Sequence, residues 1–189
     1  MEQLTIKITG TNPLMMHAST LANPLHPSTK AHKALTAKRL KTEEDHLSIA
    51  FSEYIAGCYW NPIDGFHIPG DCISAAFLAG AKLSKLGKLY ERGCLVLDTR
   101  AKLLHDGAST PEKLWEDPSH VDVRGVGVSG KKIMRYRPIF LDWSTQVTLS
   151  INTDVIDIHQ VKKLVHDAGA LIGLLEYRPR FGRFEVAYV

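Results

Sequence analysis

Residues 143–189 read WSTQVTLSINTDVIDIHQVKKLVHDAGALIGLLEYRPRFGRFEVAYV. Trp143, Thr145, Val147, Leu149 and Ile151 recur at every second position, the period of a strand with one buried face. Val161, Leu164, Val165, Ala168, Leu171 and Ile172 then recur at three- and four-residue spacing over 158–172. That stripe is the strongest amphipathic helix pattern in the chain. Phe184 to Val189 closes the stretch as a last strand. The C-terminal quarter therefore reads strand, helix, strand.

The same succession appears upstream. Leu4, Ile6 and Ile8 alternate with Thr5, Lys7 and Thr9 in a half-buried strand that Gly10 ends. A helix starts near Pro69-Gly70-Asp71, with Asp71 at the cap. Ile73, Ala76, Phe77, Gly80, Ala81 and Leu83 face the core, and Gly87 stops it. Cys94 to Leu104 reads as one strand, with Leu95, Leu97 and Thr99 on one side. The order is strand, helix, strand, strand, helix, strand, with strands 2–10, 94–104, 143–152 and 183–189 and helices 71–86 and 158–172. This is the split βαβ, or ferredoxin-like, unit. It predicts an α+β chain with one antiparallel four-stranded sheet and two helices on one face. Residues 1–189 form a single domain with insertions at 11–68 and 105–142.

The first insertion opens with a loop at 11–29, rich in Pro, Asn, Ser and Thr. Residues 30–41 follow as a helical stretch. A helix over 43–56 has Leu47, Ala50, Phe51, Tyr54 and Ile55 on one face and Thr42 or a neighbour as N-cap. Asn61-Pro62-Ile63-Asp64-Gly65 is a turn. The second insertion has turn formers and a short PEKLWED piece, then a hairpin over 121–141. Val121, Val123, Val126 and Val128 lead into Ser129-Gly130, and Lys131 to Phe140 returns.

Apolar residues make up 44% of the 189 and charged residues 23%, enough for a real core and not the composition of a disordered chain. No apolar run approaches the ~20 residues of a bilayer span, and MEQLTIKITG lacks the pattern of a signal peptide. Cys58, Cys72 and Cys94 form no CxxC pair, so free thiols in a reducing cytoplasm are expected. Net charge is +3, unevenly placed. Windows 28–45, 121–138 and 176–185 hold 13 of the 23 Lys and Arg against 6 of the 20 Asp and Glu. A basic surface on a neutral-to-acidic body suits a polyanion.

Two segments carry most of that charge. Arg178, Arg180 and Arg183 interleave with Tyr177, Phe181 and Phe184, a pattern that pairs with phosphates and stacks on bases. Gly173 and Gly182 let the backbone turn sharply. In the hairpin's returning arm, Lys131, Arg135 and Arg137 share one face and Lys132 and Tyr136 the other. A weaker basic stretch at 30–41 includes Lys38 and Arg39. These basic runs also read simply as solvated surface charge, or as an edge guarded against aggregation.

Catalytic signatures are sparse. HExxH and GxSxG are absent. Gly125, Gly127 and Gly130 match GxGxxG and nearly a Walker loop. Yet Lys132 stands where the Ser or Thr belongs, and a strand follows rather than a helix, so these are hairpin glycines. His17, His26 and His32 lie in or near the first loop, and one of them could act as base in metal-independent RNA cleavage. Cys58, Cys72 and His67 lack a fourth zinc ligand, and no cysteine pair precedes His26 and His32. No metal or cofactor is expected.

IKITGTNPLMMHAS, the first strand running into a Pro-Leu turn, IPGDCISAAFLAGAK opening a helix, and GLLEYRPRFGRFEV at the C-terminus together resemble the RAMP superfamily. More narrowly, they resemble the guide-RNA-binding backbone subunits of CRISPR effector complexes and their phage-borne relatives. The resemblance covers most of the chain in order. It implies a modified RNA-recognition-motif fold, with the loop after the first strand and the PG-started helix lying along a bound strand. It also implies a hairpin that acts as a thumb between nucleotides and a late glycine-rich loop on the phosphates. By this resemblance His17, Ser19, Lys131, Lys132, Arg135, Arg178, Arg180 and Arg183 are the contacts; Lys38, Arg39, Arg137 and Phe181 join them from the residue patterns. The expected function is non-enzymatic binding of single-stranded RNA or DNA, as a homo-oligomer or a subunit of a nucleoprotein complex, away from membranes. The alternatives are a protein-interaction module or mimic that engages such a complex, and a metal-independent endoribonuclease.

Overall fold

The computed structural model describes residues 1–128 and 130–189. Ser129, placed by sequence in the hairpin turn, lies outside the described residues. The chain is α+β, with six α-helices and several antiparallel sheets among the described residues. In order it runs β1 (Glu2–Gly10), β2 (Leu14–Met15), a 3-10 turn (Ser19–Ala22), α1 (Pro27–Ala37), α2 (Glu43–Gly57), β3 (Trp60–Asn61) and β4 (Gly65–Pro69). Next come α3 (Gly70–Leu83), α4 (Gly87–Gly93), β5 (Cys94–Val96), β6 (Arg100–Lys102), β7 (Leu104–His105), α5 (Pro111–Trp115) and a 3-10 turn (Pro118–His120). Last are β8 (Val121–Val128), β9 (Lys131–Phe140), β10 (Trp143–Ile151), α6 (Ile158–Asp167) with a π-turn (Ala168–Ile172), and β11 (Phe184–Tyr188).

The period-two stretches pair as their patterns demand. β1 lies between β11 and β10, and β10 pairs with β5 on its other side, all antiparallel. The register sets Leu4 against Leu149 and Ile6 against Val147, so their apolar faces coincide. These residues share one core with Ile73, Ala76, Phe77, Val161, Leu164 and Val165 of α3 and α6. The two helices approach closely at Gly80, where a Cβ would stand 2.5 Å from the Leu164 carbonyl oxygen. Asp157 opens α6 with a capping box to Gln160, and Thr42 does the same for α2 with Asp45.

Four expectations need correction. The strand expected over 94–104 is three short strands. β5 pairs with β10, β6 crosses to β4 in a separate small sheet, and β7 returns to β10. The break falls at Asp98, whose carboxylate accepts the Thr148 amide at 2.6 Å, and at Thr99, whose carbonyl accepts from Gly70. A side chain thus takes a donor that the ladder would otherwise use. Burial switches across the break, with Leu95 and Leu97 exposed and Ala101 and Leu103 buried. Leu171 is exposed, because a π-turn adds a residue to the turn and rotates the stripe's end away from the core. Leu83, at the end of α3, is exposed as well. So is Leu47; the polar Glu53 is buried on α2, where it meets the hairpin.

The hairpin β8–β9 forms a sheet with β2. At its base His105 stacks edge-on to Phe66 and Phe140, 5.1 and 4.8 Å between ring centres. Burial lowers the His105 pKa, with the neighbouring His120 adding to the effect. A histidine whose folded pKa lies below its unfolded value takes up its proton first in the unfolded state. The fold therefore loses stability as pH falls through the unfolded value of about 6.5 towards the lower folded one. Urea midpoints measured between pH 7.5 and 5 should fall with acid, and less steeply in His105→Phe. Equal slopes would contradict the assignment.

Candidate nucleic-acid interface

The C-terminal arginine loop is shaped by its glycines. Gly173 has φ +82° where the chain leaves the π-turn, and Gly182 has φ +71° at the far end. Between them the Leu174 amide donates to the Gly182 carbonyl at 2.8 Å, closing the loop on itself. Leu174 is buried beneath it. The loop then zips along the segment after β1: Gly182 N–H donates to Pro13 O, Glu176 N–H to Met15 O, and Thr11 N–H to Arg183 O. Arg178, Pro179 and Arg180 are left exposed.

Residues far apart in sequence meet here. His17, Tyr59, Cys72, Ala75, Leu175, Glu176 and Arg178 line a pocket of about 160 Å³. That is too small for a whole drug-sized ligand but large enough to seat part of a strand. Two wider hollows adjoin it. One, of about 410 Å³, shares Tyr59 and carries Ser19, His26, Trp60 and Arg100. The other, of about 550 Å³, shares Leu175, Glu176 and Arg178 and runs past Tyr177 and Pro179. His17, Ser19 and Arg178 thus lie along one trough. Lys38 and Arg39 line none of these hollows, and Lys38 pairs with Asp45 at 2.7 Å.

His17 is exposed at the pocket, yet its pKa lies below the ordinary imidazole value. Burial by surrounding atoms is the main cause, and the Arg137 charge adds to it. The ring is therefore neutral at pH 7. Burial also pushes the Cys72 thiol up, although the Tyr59 hydrogen bond and the Arg178 charge oppose it, so the thiol is protonated. His26 accepts the Ser28 amide as the N-cap of α1, and His32 meets the Ser52 hydroxyl at 3.2 Å. Both rings therefore have structural roles. Among the described residues, no group of three or more His, Cys, Asp or Glu is placed to hold a metal.

The basic arm does not present its cations as the alternation predicted. Lys131 and Lys132 are exposed near the tip. Arg135 instead pairs with the buried Glu53 carboxylate, which also accepts the Tyr136 amide at 3.3 Å. Arg137 is 5% exposed and faces inward to Glu176 and the Tyr177 ring. In the free chain it is therefore buried and does not stand on the arm's surface as the alternation predicted. The reason is local: α2 and the arginine loop flank the arm's root and bring carboxylates to it. Phe184 is buried in the core and cannot stack on a base. Phe181 is partly covered, with the Arg124 guanidinium 4.9 Å from its ring centre and 4.7 Å from that of Tyr177. Arg183 Nε donates to Pro179 O at 2.8 Å and braces the loop.

Sequence reasoning missed Arg124, Glu53 and Glu176. Arg124 forms an ion pair with Asp122 and joins the arm to the arginine loop. Its signal, an Arg two residues after an Asp on a strand, is common on solvated edges. No protein-family model and no curated protein matches the chain. No helix among the described residues is long and apolar enough to cross a membrane.

Proposed function

We propose that the chain binds single-stranded nucleic acid, through phosphates more than bases, and assembles into a multimer along the strand. In this reading β1, α3, β5, β10, α6 and β11 are a ferredoxin-like core of the RAMP kind, and the hairpin is an arm beside the trough. The sheet order β11–β1–β10–β5 supports it. The observation that carries the function is the trough itself. His17 from the segment after β2, Cys72 and Ala75 from α3, and Arg178 from the glycine-closed loop converge on one pocket, with Arg178 and Arg180 exposed. A pocket flanked by wider hollows, with exposed guanidinium groups and Tyr and Trp rings beside it, suits a backbone-tracking, sequence-tolerant ligand.

Replacing Arg178 and Arg180 together with Ala is expected to weaken binding to every sequence. It should also flatten the plot of log K against log salt by roughly 1.4, at about 0.7 per single-strand phosphate contact. Fluorescence anisotropy with labelled single strands reads both, and an unchanged slope overturns the role of this loop. The neutral His17 imidazole favours a second reading, RNA cleavage with His17 as base. Cleavage that persists in EDTA and disappears in a folded His17→Ala variant would establish it.

A further inference from the structure

Arg137 is buried, and neither its Nε nor its Nη1 has a hydrogen-bond partner among the described residues. No other buried side-chain nitrogen or oxygen there is left so. Among the described residues the one carboxylate that meets its charge is Glu176, with Nη2 and Oε1 3.6 Å apart, too long for a good hydrogen bond, and the Tyr177 ring lies 5.3 Å from the guanidinium carbon. The carboxylate therefore offsets the charge and leaves the donors unused. A guanidinium offers a planar fork of N–H groups that matches an oxyanion, and unpaired donors in an interior are costly.

Glu176 is itself held in an unusual way. Leu175 before it and Tyr177 after it both have φ 58°, the left-handed region that bulky side chains avoid. Its amide is tied to Met15 O at 3.1 Å, and its side chain lines the pocket beside His17 and Arg178. Glu176 lines the pocket together with His17, and Arg137 lies directly behind it, 3.6 Å from its carboxylate. One carboxylate thus stands between a buried, under-used guanidinium and the pocket wall where a strand would pass.

We propose that Arg137 is a phosphodiester-binding position and that Glu176 fills it in the free chain, as an internal stand-in for the phosphate. This rests on the single-strand reading above. An entering phosphate displaces the carboxylate and takes Nη2 together with one of the unpaired donors, Nε or Nη1, in a two-pronged pair. Glu176 turns to solvent, and the Leu175–Tyr177 stretch is the part that moves. In the native chain the exchange swaps one anion for another at Arg137, so it releases no extra counterion.

The test is Glu176→Gln, which keeps the shape and removes the competing charge. Wild type, Glu176→Gln and a control, Glu185→Gln on the exposed part of β11, are titrated against labelled oligo-U and oligo-dT across a salt series. Glu176→Gln should bind more tightly than wild type, with a slope steeper by roughly 0.7, because Arg137 now gains a phosphate without losing a carboxylate. Glu185→Gln should leave the slope unchanged. Adding Arg137→Gln to Glu176→Gln should abolish the gain, with circular dichroism checking that the double variant is folded. Binding by wild type with no gain in Glu176→Gln overturns the inference and leaves the single-strand reading standing. An equal gain in Glu185→Gln also overturns it, since the effect is then general charge. No binding by wild type or Glu176→Gln at low salt overturns both.

Discussion

Gly182→Ala is expected to destabilise the fold by about 3 kcal/mol and to remove the arginine loop from its place. A Cβ at Gly182 would stand 2.1 Å from the Leu174 carbonyl oxygen and 2.8 Å from the Leu174 amide nitrogen. Both are backbone atoms, so no side chain can swing away to relieve the clash. The φ of +71° adds the cost that any L side chain meets in the left-handed region. The same residue holds the loop at both ends, since its carbonyl accepts from Leu174 and its amide donates to Pro13. Thermal melting and urea unfolding measure the loss. If Gly182→Ala remains folded at low temperature, its affinity for single strands should fall with that of Arg178→Ala. Native stability in Gly182→Ala would contradict this description of the loop.

The second large effect separates an arginine and a lysine of the arm, Arg135 and Lys131, that look alike in sequence. Arg135→Ala should cost about 3 kcal/mol, because it leaves the Glu53 carboxylate buried against α2 without its cation. Glu53→Gln should cost less, since Arg135 is partly exposed and can reach water. Lys131→Ala, at an exposed position near the arm's tip, should change stability by no more than about 0.5 kcal/mol. On the proposed function it should instead lower the salt slope by roughly 0.7. Chemical denaturation and anisotropy on the same three variants give the comparison. A folded, fully stable Arg135→Ala would show that the arm does not depend on Glu53.

Much of the fold was legible because its patterns are local. Period-two alternation in β1 and β10, the α6 stripe and the Thr42 cap each depend on residues a few positions apart. The break at Asp98 was not legible, because it is caused by a hydrogen bond to Thr148, fifty positions away. Leu171 followed the helical period until a π-turn changed that period. The site was legible as charge but not as orientation. Alternation placed Arg135 and Arg137 on an outward face, yet Glu53 and Glu176 come from distant parts of the chain to claim them. Glycine spacing around RPRFGRF was informative in part, since Gly173 and Gly182 take positive φ, but Leu175 and Tyr177 do so as well without any glycine to mark them. Nothing in the sequence marked Phe184 as core and Phe181 as half-covered, since both are aromatics in one basic run.

The most direct test of strand binding is equilibrium titration of the full chain, purified free of nucleic acid, with labelled single-stranded RNA and DNA from low to high salt. Size exclusion is run on the same mixtures. Binding is expected with weak sequence preference, a linear loss of log K with log salt, and complexes that grow with strand length. No binding to either strand at the lowest salt, with a single unchanged elution volume, would contradict it and direct attention to an acidic protein partner.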